Sequence, residues 1–487
     1  KRLAGSNEFG ASLNFDVHGY PSLLTPVRDY EDDETYNGVA EAIKPSDIAC
    51  FGLSGFNTLW GVGRKADGTG RKLYTKFIYS TTWLEANASD GSVAETSDGC
   101  ALPGFFIQQR DSTNSSLYWF TTGSDVPSSS SWRIGLLDFT TSAGASFNKK
   151  TLAFNPNFLP QAVTGIDGVV YVSSTYKLHG CNSDKTITDS VFTVSPSFSI
   201  TSMCVYGAYL AIAIYGLGRS KVLLWDYSNA QATETIEWGE GALVVLDNLD
   251  GVLVGVTDRY INSTLFNSAN GTGSMEIKTW SGSLNSVTEV RANGIVAGAV
   301  QQYKFVKDGA LYWYAKIPNG DGTYEEGIWA FGRKTSSQPY SLYLNRQIAG
   351  TSFEGFWGIN DYFYLPHSND GSISKTSSTA SYTLTSVYET PLINGEDNTI
   401  EKNAIGFSVG FQAFVEGQAL VVKYRKDGDD NWTTLEPLTP IVAGNLASTY
   451  DLAFNFREIE FRIESTGGVT PTSWKLRYEE LSDLNNG

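Results

Sequence analysis

The feature that most limits the folds open to this chain is a recurring unit, an Asp-Gly turn followed at once by an apolar, aromatic strand. Its fullest copy lies between Phe305 and Lys334 and reads FVKDGALYWYAKIPNGDGTYEEGIWAFGRK. There Asp308-Gly309 turns the chain into Ala310-Leu311-Tyr312-Trp313-Tyr314-Ala315. The turn-rich run Pro318-Asn319-Gly320-Asp321-Gly322 follows, and Gly327-Ile328-Trp329-Ala330-Phe331 forms a further strand ending at Gly332-Arg333-Lys334. Asp-Gly and Asn-Gly supply the positive φ angles of tight hairpins, while aromatic and β-branched side chains suit a pleated, half-buried surface. A unit of this kind cannot bury its apolar face alone and needs copies of itself alongside.

Degraded copies are present. Ile166-Asp167-Gly168 leads into Val169 to Val172, and Asp250-Gly251 leads into Val252 to Val256. Tyr206 to Ala213 is followed by Lys221 to Tyr227, and Asn114 to Phe120 by Trp132 to Phe139, each pair matching both halves of the unit. Gly358 to Leu365 closes the series. The spacing wanders between about 40 and 60 residues, the range of four-stranded propeller blades. The sequence therefore predicts an all-β chain with a β-propeller of about seven blades; an irregular large sandwich or a β-helix is the competing arrangement. In this register Trp225 and Trp329 occupy equivalent buried strands. Asp167-Gly168, Asp250-Gly251 and Asp308-Gly309 sit at tight turns between adjacent strands of one blade.

Composition agrees with strands and turns: 12 Trp, 26 Tyr and 26 Phe stand against 2 Met, with 49 Gly in 487 residues. Asp and Glu total 52 against 35 Lys and Arg, a formal charge of -17. Such a field repels phosphate backbones and excludes a broad nucleic-acid-binding surface. No apolar run reaches the length of a membrane span, and no signal-peptide pattern opens the sequence. Cys50, Cys100, Cys181 and Cys204 are far apart without a Cys-x-x-Cys pair, and buried free thiols are the expected state.

In chain order, residues 1–45 read as an extended N-terminal segment with a short strand candidate at Asn14-Phe15-Asp16-Val17. The acidic run Asp29 to Glu34 is expected as a solvated loop. Residues 46–373 carry the repeats, and Ser374 to Ser381 reads as a polar linker. Residues 380–487 have the size and alternation of one β-sandwich. Ile459-Glu460-Phe461-Arg462-Ile463-Glu464 alternates strictly, giving one apolar and one charged face.

The order Val422-Lys423-Tyr424-Arg425, Trp432, Phe456 to Ile463 and Trp474 to Tyr478 resembles a C-terminal β-sandwich found in tail proteins of tailed bacteriophages. Gly327 to Lys334 resembles a phrase in the propeller-like part of those proteins, and Asn14 to Val17 with Pro21 resembles their N-terminal lead-in. The resemblance implies a non-enzymatic virion protein of nozzle or tail-tip type. It would be assembled in the host cytoplasm as a homo-oligomer attached to other tail proteins. DNA would be met only in transit, and a host surface glycan is a further implied contact. The alternative is a secreted carbohydrate-binding or glycoside-hydrolase propeller.

Motifs of chemistry are sparse. The histidines are His18, His179 and His367, none close to another, and neither His-Glu-x-x-His nor Gly-x-Ser-x-Gly occurs. Gly61-Val62-Gly63-Arg64-Lys65 lacks phosphate-loop spacing and reads as a turn. A Ser-His-Asp triad would have to be assembled by folding across blades. Asp321, Glu325, Glu326, Asp361 and Asp370 are acid candidates because they fall in expected inter-strand loops, where turns select Asp for backbone reasons. Asp427, Asp429 and Asn431 alternate as in a calcium loop, but Trp432 stands where that loop needs Gly, and of later carboxylates only Glu436 is near. Asn319, Asp321, Thr323 and Glu325 form a second set of the same kind, and both are expected to be turns. The sequence thus predicts no catalytic residue, no cofactor and no metal site.

Overall fold

The structure is a computed structural model. It describes residues 11–20, 23–28 and 30–32, strand segments between 53 and 153, and residues 161–481 with breaks. The breaks fall at 183–185, 260–273, 292–298, 319–323, 334–339, 349–356, 360–361, 367–372, 377–381 and 396–398. Every helix or strand among the described residues is a strand.

Among the described residues, seven sheets follow one another as the blades of a β-propeller. Blade 1 holds Leu53–Ser54, Thr58–Arg64, Gly70–Phe77 and Leu84–Glu85, with Glu95–Ser97 also on Gly70–Phe77. Blade 2 holds Phe105–Gln109, Ser115–Thr122, Ser131–Asp138 and Lys150–Ala153. Blade 3 holds Ala162–Thr164, Val170–Ser174, Lys177–Cys181 and Ile187–Thr193. Blade 4 is formed by Ser199–Tyr206, Tyr209–Gly216, Arg219–Trp225 and Glu234–Glu240, and blade 5 by Ala242–Leu249, Val252–Asp258, Ser274–Trp280 and Leu284–Arg291. Blade 6 is Ala299–Lys307, Ala310–Pro318, Tyr324–Gly332 and Ser341–Gln347. The first strands of successive blades lie beside one another around the axis.

The Asp-Gly turns do what their chemistry dictates. Asp250 and Gly251 have φ of 50° and 83°, and Asp308 and Gly309 have 52° and 76°. Both residues of each pair occupy the left-handed region, which is the primed hairpin turn that matches strand twist. Each turn joins the first and second strands of its blade, as does Asp167-Gly168 in blade 3.

Strand alternation then builds the interfaces between blades. In blade 4, Leu210, Ile212, Ile214, Leu223 and Trp225 face Tyr171, Leu178 and Phe192 of blade 3. Their neighbours Ala211, Ala213, Val222 and Leu224 face Leu243, Leu246 and Leu253 of blade 5. Trp329, with Trp313 and Phe331, packs on Val254, Val256, Met275 and Ile277 of blade 5. Trp225 and Trp329 are therefore equivalent: both lie in the third strand, both face the preceding blade, and they are 2% and 3% exposed. The indole of Trp238 lies so close over blade 5 that a Cβ at Gly255 would meet it at 2.5 Å.

Blade 7 combines Trp357–Ile359, Tyr362–Pro366 and Ile373–Thr376 with Tyr30–Asp32, which pairs antiparallel to Ile373–Thr376. The ring is closed by strands from opposite ends of the chain. The acidic run from Asp29 is not simply a solvated loop, because Tyr30–Asp32 is a ladder strand whose backbone, not its charge, makes the contact. Ser374, Lys375 and Thr376 belong to that strand pair and not to a linker.

The C-terminal sandwich packs two sheets. One contains Ser386–Glu389, Ile459–Thr466, Ala419–Lys426 and Thr433–Leu435; the other contains Ala447–Phe456, Lys402–Phe411 and Pro471–Glu480. Ile459, Phe461 and Ile463 point inward in strict alternation, and the Phe461 ring stacks on Phe407 at 3.8 Å between centroids. The strand Ala11–Leu13 lies between the outer strand of blade 6 and the first sandwich strand, parallel to Ser341–Gln347 and antiparallel to Ser386–Glu389. It makes blade 6 and one sandwich sheet a single nine-stranded sheet.

Candidate functional site

The joint between propeller and sandwich centres on Asn14, which follows the inserted strand. It has φ of 57°, a left-handed conformation that Asn tolerates better than most residues, and it is buried. Its backbone N–H donates to Leu344 O at 3.1 Å, and its carbonyl accepts from Val27 N at 2.9 Å and from the Ser386 hydroxyl at 2.8 Å. Its amide donates to Thr385 O at 2.9 Å and accepts from Gln347 N at 2.8 Å. One residue thus connects the N-terminal segment, blade 6 and the sandwich. Beside it Phe15 is fully buried, and the Arg346 guanidinium, also buried, donates to Arg28 O.

A second polar cluster lies toward the propeller axis. Lys304, in the first strand of blade 6, reaches Asp247 of blade 5 at 3.0 Å, Met203 O of blade 4 at 2.7 Å, and Leu246 O. One ammonium therefore ties three inner strands together. Nearby, burial and then the Asp247 carboxylate push the Cys204 thiol far above its ordinary range, with Lys304 opposing. A thiol held protonated is a poor nucleophile. Cys181 is likewise buried; Cys50 and Cys100 lie outside the described residues.

Blade 3 holds a constellation the sequence reading did not anticipate within one blade. The Ser174 hydroxyl is 2.8 Å from His179 Nε2, and His179 Nδ1 is 3.0 Å from Asp189 Oδ1. The connectivity is that of a Ser-His-Asp triad, but the exposure is inverted. Ser174 is 4% exposed, while the Asp189 side chain is 60% exposed. A nucleophile needs room for substrate at its oxygen, and this oxygen lies inside the blade. The chain instead links the second, third and fourth strands across their faces. His18 has no described side-chain surroundings, and His367 lies outside the described residues.

Glu325 and Glu326 are not in a loop: both lie in Tyr324–Gly332, because the turn region ends earlier than its composition suggests. Glu326 accepts the Tyr314 hydroxyl and pairs with Lys316 at 3.5 Å. Burial first, then the hydrogen bond to Glu326, raises the Tyr314 phenol well above its usual range. That carboxylate is committed to structure. Asn319, Asp321, Thr323, Asp361 and Asp370 lie outside the described residues. Asp427-Gly428 forms a left-handed turn at φ 51° and 83°, and the Asp427 carboxylate accepts backbone N–H groups of Arg457 at 2.7 Å and Glu458 at 3.1 Å. Its oxygen braces the neighbouring hairpin. Among the described residues no cluster of three or more His, Cys, Asp or Glu is placed to hold a metal ion.

The outward face of the nine-stranded sheet carries a ladder of opposite charges. Arg425 pairs with Glu460 at 2.5 Å, Lys423 with Glu464 at 2.8 Å, and Arg462 with Glu464 at 2.9 Å and Glu389 at 3.5 Å. Trp432 covers this ladder, with the Arg425 guanidinium 4.4 Å and that of Arg462 5.8 Å from its ring centre.

No family model matches the sequence, and no curated protein matches it. Solved propellers are similar in fold. The β-propeller domain of Cps50 (Swd1) from Myceliophteria thermophila is 9% identical with a TM-score of 0.40, over 68% of this chain and 98% of that one. BamB from Moraxella catarrhalis is 11% identical with a TM-score of 0.37, over 72% and 97%. A puromycin-hydrolyzing peptidase of Mycobacterium tuberculosis is 10% identical with a TM-score of 0.40, over 75% and 60%. Likeness at this level concerns architecture, and a propeller alone does not decide whether a chain is an enzyme.

Proposed function

We propose that this protein is a non-enzymatic structural part of a bacteriophage tail, of nozzle or tail-tip type, working as a homo-oligomer bound to other tail proteins. The observation that carries the reading is the nine-stranded sheet. A shared sheet with a buried hydrogen-bonded Asn14 at its joint suits a part that transmits load between neighbours, whereas a hinged enzyme needs moving surfaces around its substrate. The stretch that resembles the lead-in of those proteins, Asn14 to Val17 with Pro21, begins at the residue that makes this joint. The one Ser-His-Asp chain among the described residues is closed to substrate. The charge of -17 fits a wall that phosphates pass without sticking.

The test is the particle itself. Mass spectrometry of purified virions and a density map of the tail should place several copies of the chain in a symmetric set. Absence of the chain from virions would overturn the reading. So would turnover of a polysaccharide abolished by one substitution such as Glu326→Gln, with the fold retained.

A further inference from the structure

The N-terminal segment, residues 11–32, is tied to the chain at one place and held by contact at another. It runs on through residues 33–52 to Leu53–Ser54, the first strand of blade 1. Among the described residues no strand pairing joins it to that blade. Ala11–Leu13 lies between Ser341–Gln347 and Ser386–Glu389, and Tyr30–Asp32 pairs with Ile373–Thr376. Outside the segment, the hydrogen bonds of Asn14 run to Leu344, Gln347, Thr385 and Ser386. Phe15, fully buried, enters the core that blade 6 shares with the sandwich. Blade 6, blade 7 and the sandwich thus form a slot, and the structure shows its occupant. What fills it is an extended strand, a left-handed Asn, a buried Phe and a second short strand.

The slot recognises a sequence, and every copy of the chain carries that sequence. Moving residues 11–32 into the slot of a second copy keeps both ladders, the Asn14 bonds and the Phe15 contact. Only the course of residues 33–52 changes, and a stretch of that length extends to about 70 Å. Exchange of an identical element is for this reason a low-cost route to association. Contact between whole surfaces is the harder route here, because two bodies of charge -17 repel as they approach. When copies stand side by side in a closed set, a neighbour's segment reaches the slot at an effective concentration of the same order as the copy's own. We infer that residues 11–32 are exchanged between copies of this protein. Ala11–Leu13, Asn14 and Phe15 of each copy complete the joint of its neighbour, and Tyr30–Asp32 closes the neighbour's blade 7. Each joint is then incomplete without a second copy. The inference rests on the reading of the chain as a homo-oligomeric tail part and names the link between its copies.

Disulfide trapping of the full chain is the test. Leu13 stands opposite Val387 in an antiparallel pair, and Glu31 stands opposite Lys375. Cβ atoms at such positions are about 4.5–5.5 Å apart, close to what a disulfide spans. After mild oxidation and denaturation without reductant, Leu13→Cys/Val387→Cys should run chiefly as covalent multimers that reduction returns to single chains. Co-expression of Leu13→Cys chains with Val387→Cys chains should give a two-chain species, since neither can form this bridge within itself. Either variant expressed alone should run as one chain. Glu31→Cys and Lys375→Cys, used in the same two ways, probe the other end of the segment and leave the joint untouched. Double variants whose oxidised chains run singly, co-expressed pairs with no two-chain species at either position, or a wild type sedimenting as a monomer throughout would each overturn the proposal. Single-chain products from a protein present in several copies in virions would reject exchange and leave the tail reading standing. Covalent multimers of a chain absent from virions would do the reverse.

Discussion

Replacing Asn14 by Ala isolates what one residue does at the joint. The substitution removes the acceptor for Gln347 N–H and the donor for Thr385 C=O, and leaves both groups without those partners at a partly buried site. Each orphaned group carries a desolvation penalty of about 1–3 kcal/mol. Ala is also less at ease than Asn at φ 57°, which adds roughly 1 kcal/mol. The expected loss is about 3–7 kcal/mol, on the scale of a whole domain's stability. Because the loss falls at a boundary, its form matters as much as its size. Calorimetry of wild type should show the propeller and sandwich melting together, and Asn14→Ala should split the transition, with the sandwich separating from blade 6. Asn14→Gly relieves the backbone term while losing both side-chain bonds, so it should recover only about 1 kcal/mol. A melting curve for Asn14→Ala within about 0.5 kcal/mol of wild type, with a single transition retained, would refute the assignment of the joint to this residue.

Three further outcomes are expected. Trp225→Ala and Trp329→Ala should each destabilise by about 3–5 kcal/mol in urea titrations, since both indoles fill inter-blade cores, and a wild-type curve for either would break the blade register. His179→Ala should lower stability by about 1–3 kcal/mol through the orphaned Ser174 and should abolish no ester or peptide hydrolysis, because none is expected in wild type. The phenol of Tyr314 has its folded value raised above 10.0, so its contribution is complete below that pH and is lost as pH rises through the folded value. Alkaline unfolding followed by circular dichroism should therefore move to higher pH in Tyr314→Phe.

The blades were legible in the sequence because their determinants are local. An Asp-Gly pair and an alternating aromatic strand need no distant partner to be recognised, and the strict alternation of Ile459 to Glu464 likewise reports its own face. Ring closure was not legible. Tyr30–Asp32 looks like a charged loop because its side chains carry no apolar pattern, and its pairing with Ile373–Thr376 depends on backbone groups at the other end of the chain. The Ser174–His179 contact had a faint local signal. Thr175 and Tyr176 form a two-residue turn, and His179 is paired with Val172, so Ser174 sits diagonally on the same face. Nothing in composition could place Asp189 beside them, since a register shift in the neighbouring strand decides it.

The insertion of Ala11–Leu13 between blade 6 and the sandwich also sets a timetable. Asn14 and the Thr385 carbonyl it holds are 371 residues apart. At a synthesis rate of about 5–20 residues per second, the N-terminal segment waits roughly 20–75 s before its partners leave the ribosome. Until Ile373–Thr376 and Ser386–Glu389 emerge, Tyr30–Asp32 and Ala11–Leu13 have no such partners to pair with, and they offer unpaired backbone to any neighbouring nascent chain. The middle blades can mature as they emerge, but the ring is closed only once Ile373–Thr376 has been made and has paired with Tyr30–Asp32. A nonsense product ending before Ile373–Thr376 would carry an unclosed ring, and quality control in the cell would meet it as an exposed strand edge.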